Sequence, residues 1–261
     1  MTRVVRVVRA VVVLVLVAAV GGCSGGRKVV APAGADDQGL PVTYVAVGAS
    51  DSVGVGADDP LRQAWPQVFY QTALPKRAVF INLGISGATV AEALEKEVPH
   101  ALDLNPTVVT VWLSLNDLTH LVSAESYEQS LGELVHRLRR DGRTKVLVGN
   151  APPIADLPAY TACLPNPPGG AACGLGGLIQ RLLPGPDVVD GLVDAYNAAI
   201  ARVAAREGAV LVDLHAVAVR AREAGTEASL FASDGFHPSV EGHRAVAGAF
   251  AEALRASGGA G

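Results

Sequence analysis

Aromatic side chains make up only 5% of this 261-residue sequence, and charged ones only 18%. The net charge of −4 leaves no basic footprint for a phosphate backbone, and so few aromatics offer little surface for stacking bases. Nucleic acid is therefore not an expected partner. No internal repeat is present, which excludes solenoids and propellers. The thin charge does not signal disorder, because 50% of the residues are hydrophobic and can bury a sizeable core. The length suits one α/β domain with additional segments at its ends.

Cysteine is also rare, with three in the chain, and each has a distinct setting. Arg3, Arg6 and Arg9 form a positive N-terminal region ahead of an unbroken apolar run, Ala10 to Val20. That run is short for a membrane span, which needs about 20 residues, and suits the core of a secretion signal. It ends in Val20-Gly21-Gly22-Cys23, which resembles the lipobox of bacterial lipoproteins. The resemblance implies a signal peptide over residues 1–22, cleavage before Cys23 and lipidation of that cysteine. The product would be an exported protein anchored on the outer face of the bacterial cell membrane. An ordinary signal peptide with an incidental cysteine and an uncleaved anchor are the alternatives. Residues 23–40, rich in glycine, alanine and polar residues, read as a flexible tether. Cys163 and Cys173 flank a Pro/Gly-rich loop, and in an oxidising compartment a disulfide between them is expected. A metal site there would need further ligands, and none is evident nearby.

From residue 41 onward, strand-like and helix-like segments alternate. The strand candidates are 42–47, 78–83, 108–113, 145–149 and 209–214, each rich in Val, Ile or Leu and largely without polar alternation. Such runs suit parallel strands buried on both faces. Helical periodicity lies near 61–73, 88–98, 126–140, 187–207 and 239–256. This pattern predicts an α/β fold with a five-stranded parallel sheet, right-handed crossovers and helices on both faces. Residues 151–186 break the pattern as a long loop of the kind that often serves function.

Ligands of such sheets bind beyond the carboxyl ends of the strands, and several of those ends are chemically loaded. Ser50 follows the first strand in "GASDSVG". Gly87 lies in "NLGISGAT" after the second, and Asn116 lies in "WLSLNDL" after the third. Asp234 and His237 stand in "SDGFHPSVEGH" before the final helix. A serine hydroxyl needs a neighbouring base to become a nucleophile, and a histidine oriented by a carboxylate is such a base. A backbone amide at Gly87 and the side-chain amide of Asn116 suit stabilisation of an oxyanion. Each residue also has a plain structural reading: Ser50 as a turn residue or helix cap, Asp234 as a cap, Asn116 in a turn, Gly87 for its backbone. His237 has five rivals, His100, His120, His136, His215 and His243. A nucleotide site on "GVGADD" fits neither dinucleotide nor P-loop spacing, and a metal site on Asp234, His237 and His243 lacks further ligands.

Taken together, the blocks resemble the SGNH hydrolases, also called the GDSL family of esterases and lipases. The resemblance spans about residues 41–257 and implies a flavodoxin-like three-layer α/β/α sandwich. It makes Ser50 the nucleophile, with Asp234 and His237 completing the triad and Ser50, Gly87 and Asn116 forming the oxyanion hole. "NAPPI", residues 150–154, is similar to a further family segment. The implied activity is hydrolysis of carboxylic (acyl or acetyl) esters, on a small-molecule, lipid or glycan substrate, by a monomer with no cofactor and no metal. The same residues would also serve acyl transfer, and a non-catalytic glycan- or protein-binding lipoprotein is the other alternative. Two departures motivate that last reading: the family's Gly-Asp-Ser is Gly48-Ala49-Ser50, followed by Asp51, and the glycine of its Gly-x-Asn-Asp is Ser114. Loop 151–186, with Ile154, Leu157, Tyr160, Leu164, Leu175, Leu178 and Ile179, is the expected wall of the substrate pocket. If the disulfide pins it near Ser50, short to medium acyl chains are favoured.

Overall fold

The apolar runs pair as one parallel sheet in the computed structural model, which describes residues 41–174 and 183–259. Its strands are β1 (Thr43–Gly48), β2 (Val79–Asn82), β3 (Val108–Trp112), β4 (Lys145–Gly149) and β5 (Val210–Val212). The order is β2-β1-β3-β4-β5, with every pairing parallel. The register sets Val45 beside Ile81 on one side and beside Val109 on the other, and Val109 beside Val146. Because successive strand residues face opposite ways, Val45, Val47, Val109, Val111, Val146 and Val148 enter one core. Tyr44, Ala46, Val108, Trp112 and Leu147 enter the other. Both faces are buried, which explains the missing polar alternation.

The helices are α1 (Ser50–Val53), α2 (Pro60–Gln63), α3 (Trp65–Ala73), α4 (Val90–Lys96), α5 (Val98–Asp103) and α6 (Leu115–Thr119). They continue with α7 (Ala124–Arg139), α8 (Pro158–Thr161), α9 (Pro186–Glu207), α10 (Leu214–Glu223) and α11 (Val240–Ala256). Helices α4, α5, α7 and α9 cover the first face, and α3 and α11 the second. The few aromatics are concentrated where the layers meet. Trp65 stacks on Phe250 with centroids 4.5 Å apart, and Tyr127 on Tyr196 at 4.2 Å. The architecture is the three-layer α/β/α sandwich of flavodoxin-like strand order.

Two of the expected helices are broken in two. Ala64 is extended (ψ 139°), and Pro66 falls in the first turn of α3; Pro99 likewise falls in the first turn of α5. Proline has no N–H to give to a preceding turn, so each helix restarts where that donor is not needed. The fifth strand stops at Val212 rather than Leu214, because the Asp213 carboxylate accepts from Ala216 N at 3.0 Å and caps α10, a helix the periodicity did not predict.

Within loop 151–186, Ile154–Asp156 and Pro168–Gly170 form short 3₁₀ turns and Pro158–Thr161 forms α8. Cys163 and Cys173 are joined by a disulfide, with Cα atoms 4.5 Å apart. The leader 1–22, Cys23, the tether 23–40, and Leu175, Leu178 and Ile179 lie outside the described residues. Among the described residues no helix is long and apolar enough to cross a membrane.

Candidate active site

Strand order reverses at β1, which has β2 on one side and β3 on the other. The crevice beyond such a switch point is where doubly wound sheets bind ligands. Ser50 opens α1, two residues past the end of β1, and Asn116 sits in α6 just past β3. The turn between β1 and α1 is tight. A Cβ on Gly48 would lie 2.1 Å from Ser52 Oγ and 2.9 Å from Ser52 Cβ, so no other residue fits there without displacing Ser52. Surrounding groups clamp it. Gly48 N donates to Glu97 Oε2 at 2.8 Å, Gly48 O accepts from Ile85 N at 3.0 Å, and Asn82 Nδ2 donates to Ser52 O at 2.6 Å.

The histidine arrives on a closed loop. Phe231 and Pro238 form a single antiparallel bridge, and Ala232 N donates to His237 O at 2.9 Å. Inside the loop, Asp234 Oδ1 accepts from the amides of Phe236 at 2.9 Å and His237 at 3.0 Å. Asp234 Oδ2 accepts from His237 Nδ1 at 2.6 Å, and His237 Nε2 lies 3.0 Å from Ser50 Oγ. A proton held on Nδ1 by the carboxylate leaves Nε2 free to accept from the serine hydroxyl. Partial burial pushes the Asp234 carboxyl up, but the bonds from His237 and from the Phe236 and His237 amides outweigh it and hold the group below the usual aspartate range. Asp234 is not a helix cap: Ser239 caps α11, accepting from Gly242 N at 3.1 Å.

The rival histidines are occupied elsewhere. His120 is bonded to Asn116 O, His136 to Glu207, and His215 to Ala151 O and Asn197, while His100 is exposed on α5. His243 is fully buried; its Nδ1 accepts from Trp65 N at 3.3 Å and its Nε2 donates to Val55 O at 3.1 Å. Burial drives its pKa down, so it stays neutral. Among the described residues no group of three His, Cys, Asp or Glu side chains is gathered to hold a metal.

Ser50 and Asn116 line one small cavity together with Ala49, Asp51, Ser114 and Phe236. Asn116 Nδ2 donates to Ala88 O at 2.9 Å, which fixes the amide and leaves its second hydrogen to point elsewhere. Gly87, at φ +83°, occupies the turn immediately before that Ala88 carbonyl, but is not among the residues lining the cavity. The two loops are tied again by Asp117, whose carboxylate accepts from Val90 N at 3.0 Å at the start of α4. Burial pushes Asp117 up to about 6 against that bond. Ser114, standing where the family has glycine, is buried, and its Oγ has no hydrogen-bond partner among the described residues.

Glu97 behind this turn was not singled out in the sequence, where "EALEKEV" reads as an ordinary charged helix. Only 1% exposed, it has one oxygen on Gly48 N and the other unpartnered. Burial pushes it up to about 8, opposed by the Gly48 bond. An unfolded glutamate titrates near its ordinary 4.5, so between 4.5 and about 8 the folded state holds a proton that the unfolded chain has released. Folding stability therefore falls as pH rises through that window and levels off above it. Asp51 and Asp117, both raised to about 6, act in the same direction only at its lower end. Glu97→Gln is expected to flatten the fall between about pH 6 and 8, making the variant more stable than wild type above pH 8 by a margin on the order of 2–4 kcal/mol. Urea unfolding across this range checks it, and parallel pH curves for the two proteins would refute it.

Comparison with known proteins identifies the family and the fold. Residues 46–245 match the model of the GDSL-like lipase/acylhydrolase family. The chain belongs to that family. Among solved structures, a candidate GDSL-like lipase from Parabacteroides merdae superposes with TM-score 0.62 at 17% identity, covering 83% of this chain and 98% of that one. The lipase/acylhydrolase from Enterococcus faecalis gives TM-score 0.60 at 19% identity, covering 83% and 96%. The psychrotrophic esterase EstA from Pseudoalteromonas gives 0.57 at 15%, covering 82% and 97%. At these identities the likeness shows the shared fold. No curated protein matches.

Proposed function

We propose that this hydrolase of the GDSL-like family cleaves carboxylic esters through Ser50, His237 and Asp234. The observation that carries the reading is the continuous line from Ser50 Oγ to His237 Nε2 (3.0 Å) and from His237 Nδ1 to Asp234 (2.6 Å), set at the switch point of the sheet. In this mechanism His237 Nε2 takes the hydroxyl proton as Ser50 Oγ attacks the ester carbonyl. It then gives that proton to the departing alkoxide, leaving an acyl-serine. Water, deprotonated by the same nitrogen, attacks the acyl-serine; the bond from the acyl carbon to Ser50 Oγ breaks, the carboxylic acid leaves, and Oγ takes the proton back from His237. Asp234 stays ionised and stabilises the imidazolium of each step, as its lowered pKa favours. The carbonyl oxygen, as it gains charge, is received by the Ser50 amide and Asn116 Nδ2, whose residues share one cavity, with the Gly87 amide of the adjoining turn as the third donor.

The apolar groove beside Asp234 and Phe236 offers the acyl chain a wall of Leu118, Leu121, Ile154, Leu157 and Tyr160. Ala171 and Ala172, within the segment closed by the disulfide, also line it. Leu164 instead packs against the core. A wall tied in this way supports a preference for short to medium acyl chains. EstA from Pseudoalteromonas is inhibited by monoethylphosphonate, and the same class of reagent is expected to label Ser50 here. Peptide mapping that finds Ser52 or Ser86 labelled instead would overturn the assignment. A p-nitrophenyl ester series should peak below long chains, and highest kcat/KM on palmitate would refute the length preference.

The leader motif supports a surface address, with Cys23 lipidated as the first residue of the mature chain. Cys23→Ala expressed in a bacterial host should move the protein out of the membrane fraction or leave it unprocessed. Unchanged membrane retention would favour an uncleaved anchor.

A further inference from the structure

Asp51 directly follows the nucleophile, whereas the family's own aspartate precedes it. Asp51 is 8% exposed on the first turn of α1. It lines the small cavity shared with Ser50 and Asn116, and also a second cavity of about 80 Å³ walled by Leu157, Leu230, Phe231, Pro238 and Val246. Phe236 borders both of these and the acyl groove, so it divides the space around the nucleophile into separate compartments. An ester has two ends, and two apolar compartments border Phe236, which also lines the small cavity of Ser50.

The second compartment has an unusual polar feature. Among the described residues no other residue donates a hydrogen bond to the Asp51 carboxyl, which is served only by its own amide. The other carboxyl on this wall, Glu227, is neutralised by Arg222 through bonds of 3.0 and 2.9 Å. Burial raises Asp51 to about 6, the nearby His237 opposing and Asp234 reinforcing the rise, so the group is ionised above that pH. A buried carboxylate without a partner is costly in an apolar wall, and a charged donor supplied by a ligand removes that cost. Two carboxylates, Asp51 and Asp234, lie in this part of the site, and a positive donor from a ligand would meet both, so a cation is favoured over a neutral hydroxyl. The cavity has room for a small branched alkyl group or a few waters, one water needing about 10–15 Å³.

We propose that the Asp51 cavity is the subsite for one end of the substrate, and that Asp51 selects esters carrying a protonated amine at that end. This rests on the esterase reading above. The test uses two isosteric pairs at about pH 8, where Asp51 is ionised. On the alcohol side, 3-(dimethylamino)propyl butanoate is compared with 4-methylpentyl butanoate. On the acyl side, butyl 4-(dimethylamino)butanoate is compared with butyl 5-methylhexanoate. In one pair the amine should be favoured in kcat/KM by about tenfold or more, as expected of a charge-assisted hydrogen bond. The ratio should fall towards one in Asp51→Asn and reverse in Asp51→Leu. Absence of an amine preference in both pairs, or a preference that persists in Asp51→Asn, would overturn the proposal. Calorimetric binding of the same esters to Ser50→Ala repeats the comparison without turnover. Amine-selective binding that depends on Asp51 would sustain the subsite even if no ester were hydrolysed, whereas hydrolysis without selectivity would sustain only the esterase reading. Thermal unfolding of both Asp51 variants separates a misfolded protein from a changed subsite.

Discussion

Ser50→Ala is expected to lower kcat for ester hydrolysis by about 10⁴–10⁶ while leaving KM within a few-fold. The hydroxyl is the atom that becomes acylated, so its loss removes the covalent route rather than weakening it. His237→Ala should cost about as much, and the double variant little more than either single one, because nucleophile and base act as a unit. Asp234→Ala should cost less. Asp234 stabilises the imidazolium and fixes the tautomer, but its side chain is 46% exposed, and water can take over part of that task. All three variants should fold, since none of these side chains belongs to either hydrophobic core. Steady-state kinetics on a short-chain p-nitrophenyl ester, with circular dichroism as a folding control, checks the series. A Ser50→Ala protein retaining more than about a hundredth of wild-type kcat would refute the mechanism, since water and a free base at the same place do not approach that rate.

What the sequence revealed and what it hid follow from the range of the interactions involved. Val45, Val109 and Val146 lie in apolar runs that only a doubly covered sheet explains, so the strands and their layering were readable from local pattern. The glycine, asparagine and histidine blocks were readable because each falls at a strand end or before a helix. The proline breaks at α3 and α5 could have been read from Pro66 and Pro99, whose constraint is local. Other features were not legible because they depend on contacts distant in sequence. Glu97 meets Gly48 across 49 residues, and nothing in a surface-like helix marks the one glutamate that turns inward. Phe236 stands beside His237 in sequence, but its place between three cavities arises only when α1, α6 and loop 151–186 converge.

The departures from the family pattern also acquire physical meaning. Ala49, in place of the family's aspartate, is 5% exposed and packs into the core on the α7 face of the sheet. The Glu97 carboxyl, accepting from the Gly48 amide, is a polar anchor of this turn. The nucleophile turn is thus held from beneath by a group that is largely protonated at neutral pH and from the side by Asn82.

Asn116→Ala is expected to lower kcat by about 10²–10³ with little change in KM, the cost of removing one oxyanion donor. In the resting ester the carbonyl oxygen carries little charge, whereas in the tetrahedral state it approaches a full negative charge. A donor placed for the latter therefore acts on kcat. The geometry of Asn116 suits that role. One amide hydrogen is committed to Ala88 O at 2.9 Å, so the side chain does not need to reorganise when the other is called on. The helix carrying it is tied to the start of α4 by Asp117, whose carboxylate accepts from Val90 N at 3.0 Å. Asn116→Asp should be at least as damaging, because a carboxylate would repel the developing oxyanion. Ser114→Gly, which restores the family residue, should change kcat by less than about tenfold, because Ser114 Oγ has no partner whose loss would move α6. If Asn116→Ala keeps kcat within about threefold of wild type while Ser114→Gly does not, the oxyanion is held by Ser114 rather than Asn116.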